Sequence, residues 1–105
     1  MLDAETERHI AEQKAALAAQ PDWAEGHLYL ALLYRVHRTL HVEAKHELLR
    51  ALELKPSLAE AHIALGEIYL AESDFTRARE QAEYAAQFGN RRLLEQMQRH
   101  AEDYK

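Results

Sequence analysis

The 105-residue chain contains no cysteine, three glycines, two prolines and one tryptophan. Without cysteine it can form neither a disulfide nor a thiolate metal site. Scarce glycine and proline leave few turn residues, and the abundance of alanine, leucine and glutamate favours helices throughout. Positive charge is also in short supply. Thirteen Lys and Arg face eighteen Asp and Glu, for a net charge of −5, and Arg91-Arg92 is the only adjacent basic pair. A nucleic-acid partner needs clustered cations on one surface, so that class is set aside. The longest apolar run, "LYLALLY" at Leu28 to Tyr34, is seven residues, against roughly 20 for a membrane-spanning helix. The opening "MLDAETERH" is acidic and lacks the apolar centre of a signal peptide. No low-complexity linker divides the chain, which predicts one domain over 1–105.

What the chain does have is an echo. Residues 21–34 read "PDWAEGHLYLALLY" and residues 56–69 read "PSLAEAHIALGEIY", with six of the fourteen positions identical. A period of this size marks stacked supersecondary units. Apolar spacing predicts six helices, near 3–19, 22–37, 40–54, 57–72, 74–88 and 91–104. Each proline precedes a capping signature, Asp22 with Glu25 and Ser57 with Glu60. Thr39 and Asp74 are expected to cap the third and fifth helices, and Gly89 to end the fifth in a left-handed turn. Short loops between these segments require antiparallel helix hairpins. Ala31 and Gly66, carrying almost no side chain, mark tight crossings. Ala44, Leu48 and Ala51, and then Ala78, Ala82 and Ala85, supply the facing surfaces.

The order His27-x2-Leu30-Ala31-x2-Tyr34, then Ala44-x3-Leu48-x2-Ala51-x4-Pro56, resembles the tetratricopeptide repeat, as does His62-x2-Leu65-Gly66-x2-Tyr69 followed by Ala78, Ala82 and Ala85. The resemblance covers roughly residues 24 to 90. It implies an all-α fold, a right-handed superhelical stack of antiparallel hairpins. The parts would be a first helix at 1–20, repeats at 22–56 and 57–90, and a capping helix at 91–105 that uses Leu94, Met97 and Ala101. The chain departs from the family pattern in four places. Histidines 27 and 62 stand where a large aromatic is usual, Asn90 replaces the closing proline, the first repeat has one extra residue near Arg35–Thr39, and Leu94, Met97 and Ala101 match the motif only after a slip of three residues.

The resemblance also implies a groove lined by the first helix of each repeat. Its residues here are Glu25, Leu28, Tyr29, Leu32, Arg35 and Val36, then Glu60, Ile63, Ala64, Glu67, Leu70 and Ala71. Leu28, Leu32, Ile63 and Leu70 are apolar on the side that the packing face leaves free, so they need a partner, or a cover from helix 1, helix 6 or another copy. The expected function is a non-enzymatic module binding an amphipathic helix or peptide, with no cofactor. Its anchors would be Leu28, Tyr29, Leu32 and Ile63, and its acids Glu25, Glu60 and Glu67 would favour a basic partner. With Arg35 the only cation there, capture of a terminal carboxylate does not fit.

Two alternatives come from other classes. Among seven histidines, His37, His41 and His46 gather at the first hairpin turn and are the candidate metal ligands, with Glu43 the nearby carboxylate. His27 and His62, one repeat apart, read instead as packing residues whose ring nitrogens find hydrogen bonds. The other alternative is self-assembly, as a scaffold segment or homo-oligomer docking through an edge of Leu2, Ile10 and Leu17. No nucleophile–base pair or phosphate-binding loop points to catalysis.

Overall fold

The structure, a computed structural model, describes residues 2–103; Met1, Tyr104 and Lys105, which belong to the expected first and last segments, lie outside the described residues. Among the described residues the protein is all-α, with no strand. The helices are α1 (Ala4–Ala19), α2 (Ala24–Arg35), α3 (His41–Leu54), α4 (Ala59–Ala71), α5 (Phe75–Gln87) and α6 (Arg92–Asp103). Among the described residues there is one 3₁₀ turn, Arg38–Leu40, in the stretch from Tyr34 to Ala44 that is one residue longer than its counterpart from Tyr69 to Ala78. No helix among the described residues is long and apolar enough to cross a membrane. The chain divides into two compact units, Met1–Pro56 and Ser57–Lys105.

In the first unit α1 packs on α2, and α2 on α3. Ala31, Ala44, Leu48 and Ala51 are wholly buried there, as expected of small residues at helix crossings. Ile10 and Leu17 are 8% and 7% exposed. This corrects the expectation that they form an open edge for a second copy, because α1 turns that stripe onto α2 instead. Leu17 reaches the start of α2 beside Gly26, and the Trp23 ring folds over the same spot. A Cβ on Gly26 would stand 2.7 Å from Trp23 Cδ2 and 2.9 Å from Leu17 Cδ2. Gly26→Ala therefore gains roughly 1 kcal/mol of helix propensity and incurs about 1–3 kcal/mol of overpacking. The expected result is a lower denaturation midpoint; an unchanged or higher midpoint would show that the Trp23 ring does not lie there.

In the second unit α4 packs on α5, α5 on α6, and α6 reaches back to α4. Ala78, Ala82 and Ala85 are wholly buried along α5. Gly66 sits beneath Leu93, where a Cβ would stand 2.5 Å from Leu93 Cδ2. Tyr34 is buried in its unit, but its counterpart Tyr69 is only half-buried, so the two tyrosines are not equivalent.

The helix ends follow local chemistry. Asp3 caps α1 by accepting from the Thr6 amide at 2.7 Å, which holds its carboxyl below the ordinary range. Asp74 caps α5, accepting from the Arg77 amide at 3.2 Å and the Arg77 guanidinium at 2.8 Å. The expected caps at Asp22, Ser57 and Thr39 do not form. Trp23 and Leu58 occupy the cap positions of α2 and α4, and Leu40 that of α3, none with a side-chain bond. Trp23 N–H instead donates to the Gln20 carbonyl, which closes a turn around Pro21 and Asp22. Two helices end alike. The Asp74 amide donates to the Tyr69 carbonyl and the Asn90 amide to the Ala85 carbonyl, each at 2.8 Å. The residue before each donor has positive φ, 59° at Ser73 and 99° at Gly89.

Candidate functional site

The residues singled out on α2 divide by arc. At 3.6 residues per turn, Glu25, Tyr29, Leu32 and Val36 fall within about 60° of one another. This stripe faces outward. Tyr29 is 47% exposed and Val36 72%, with Glu25 and Leu32 half-buried. Leu28 and Arg35 lie further round the helix, and Leu28 is 2% exposed. Leu28 is therefore a core residue, not an anchor for a ligand. The Trp23 ring meets Tyr29 edge-on, with centroids 5.8 Å apart, and steadies the stripe at its start. Glu25 pairs with Lys55 at 3.8 Å.

The matching stripe on α4 differs in chemistry. Glu60, Ala64, Glu67 and Ala71 replace Glu25, Tyr29, Leu32 and Val36, and no large apolar side chain remains. Ile63, expected to line the groove, is 3% exposed and packs with Ala82, Ala85, Leu93 and Leu94. The cover is α6, one of the three weighed from sequence. Glu67 lies 3.8 Å from Arg92 on that helix. Since Glu25 and Glu67 each have a cation within their own unit, the expected acidic attraction for a basic partner loses two of its three charges.

Leu70 behaves differently from Ile63. It packs at the edge of the same cluster and lines an open groove of about 510 Å³ with Phe75, Gln96, Met97, His100 and Ala101. Phe75, 63% exposed, was missed as a site residue. Its signal was visible, since a phenylalanine directly after a capping Asp begins an otherwise polar helical turn.

The histidines separate into two kinds. His41 Nε2 lies 3.3 Å from the Arg35 carbonyl, the His37 amide donates to the Tyr34 carbonyl, and His46 is exposed. The three do not form a metal centre: among the described residues no group of three or more His, Cys, Asp or Glu is placed to hold a metal ion. His27 and His62, by contrast, are held within their units. His27 Nδ1 is 2.7 Å from Glu47 Oε1 and its Nε2 is 2.8 Å from the Pro21 carbonyl. His62 Nδ1 is 2.7 Å from Gln81 Oε1, and its ring lies against Phe88 and Tyr84 with centroids 5.8 and 5.3 Å away. Compared with known proteins, the chain matches no family model and no curated protein.

Proposed function

We propose that this chain is a non-enzymatic protein-interaction module of the tetratricopeptide kind, its hairpins stacked in a right-handed superhelix. Its contact surface is the outer stripe of α2, formed by Tyr29, Leu32 and Val36. The repeat echo and the buried small residues at the helix crossings support the architecture. The observation that carries the function is the exposure of Tyr29 and Val36, two turns apart on one face of a helix that buries Ala24, Leu28, Leu30, Ala31 and Tyr34 on its other side. Large apolar side chains set in line on one face fit an amphipathic helix or an extended peptide. The copies agree where they pack and differ along this stripe, as expected if packing is shared and recognition is particular to α2.

The test compares proteins retained from a lysate of the source organism by the wild-type chain and by the double variant Tyr29→Ala, Val36→Glu. Both positions are substantially exposed, so the melting temperature should stay close to that of the wild type. The expected result is loss of the retained partner in the variant, and its survival in a control carrying Glu60→Gln. Equal retention by the variant and the wild type would place the contact surface elsewhere.

A further inference from the structure

Two exposed aromatic rings at the end of α5 rest on one buried histidine. His62 on α4 is 7% exposed, and Gln81 holds its Nδ1. The Phe88 ring stacks on it at 17°, and the Tyr84 ring lies beside it, tilted by 31°. Tyr84 and Phe88 keep exposures of 49% and 39% on the sides that His62 leaves uncovered. Rings seated in this way lose little further freedom when something lands on them. At 100° per residue, Glu80, Glu83, Tyr84 and Gln87 share about 100° of arc, opposite the buried Ala78, Ala82 and Ala85. The four line an open depression of about 360 Å³: two carboxylates, an amide and a phenol ring, with no cation among them. The cations nearby on α5 are Arg77 and Arg79. Arg77 is held by Asp74 at 2.8 Å, with Glu80 only a minor influence on it. Arg79 reaches Glu83 at 3.3 Å, but both side chains are more than half exposed, and such a pair is weak and readily exchanged.

We propose that this face of α5 docks a basic peptide, with an arginine guanidinium laid on the Tyr84 ring between Glu80 and Glu83. A cation is drawn to the face of an aromatic ring. Arginine suits the place better than lysine, because its planar fork stacks on the ring while its N–H groups donate to a carboxylate. The Gln87 amide oxygen accepts a further N–H, and Phe88 covers the aliphatic stem. The chain's net charge of −5 favours the approach of such a partner. The first hairpin shows that packing does not demand this surface. Counted from Ala44 as α5 is counted from Ala78, α3 has Arg50 in the place of Tyr84, and His46 and Leu49 in the places of Glu80 and Glu83. The buried alanines are shared between the two helices; the ring and its two acids belong to α5 alone. This second contact surface does not rest on the α2 stripe.

The probe is a blocked, alanine-based peptide carrying two arginines one helical turn apart. It is titrated into the intact chain while the backbone amide resonances are followed. The largest shifts should fall between Glu80 and Phe88 and shrink as salt is added. The same peptide with citrulline for arginine, equally planar but uncharged, should lose most of its binding. Tyr84→Leu keeps an apolar side chain over His62 and should weaken the arginine peptide about two- to fivefold. Glu80→Gln, at an exposed position, should weaken it as well, whereas Tyr29→Ala on α2 should leave it unchanged. Equal binding of the citrulline peptide overturns the proposal, since the contact is then apolar and not cationic. So does the absence of shifts along α5 at roughly millimolar peptide, or an affinity that neither Tyr84→Leu nor Glu80→Gln alters.

Discussion

Leu93→Ala should destabilise the second unit by about 2–5 kcal/mol, the range for a buried leucine truncated to alanine. Leu93 is wholly buried and belongs to the cluster of Ile63, Ala82, Ala85 and Leu94. Its terminal carbon lies over Gly66, which has no side chain to move into the space left behind. Two further members of the cluster, Ala82 and Ala85, are alanines, equally unable to expand. A cavity that cannot collapse puts the cost toward the upper part of the range. Chemical denaturation measures it directly. A loss below about 1 kcal/mol, outside that range, would mean that α6 does not seal α4, and Ile63 would again be a groove residue.

Leu28→Ala is the second large effect, also about 2–5 kcal/mol. At 2% exposure the side chain is inside, whereas Val36, two turns along α2, is 72% exposed. Val36→Ala should change stability by no more than about 0.5 kcal/mol. The pair of variants fixes the rotation of α2 about its axis. If Val36→Ala proves the costlier change, the outward stripe has been assigned to the wrong arc and the proposed contact surface fails with it.

Why Leu28 read as a groove residue is instructive. "LYLALLY" is apolar on every side of the helix, so its spacing declares a helix without declaring which arc faces water. The family resemblance supplied an arc, and burial moved its edge inward past Leu28. Helix positions were legible for the opposite reason: polar residues and the two prolines interrupt the apolar pattern at each boundary, and the ends agree within two residues. Caps were legible only where nothing competed for the residue. Asp74 meets the Arg77 amide directly, but the turn around Pro21 carries Asp22 away from the start of α2. In α6 the spacing of Leu94, Met97 and Ala101 hid Leu93, which lies one turn before Met97 and carries the deepest contact. The groove at Phe75 depends on α4, α5 and α6 converging, which no local pattern expresses.

The order of packing has a kinetic consequence. Within each unit the main helix contacts join neighbours along the chain: α1 with α2 and α2 with α3, then α4 with α5 and α5 with α6. Such contacts close short loops, so little chain entropy is spent before the first apolar pairs form. Chains of this kind fold in roughly microseconds to milliseconds. Each hairpin can collapse as soon as its second helix exists, and during synthesis the α2–α3 pair can form while α4 is still being made.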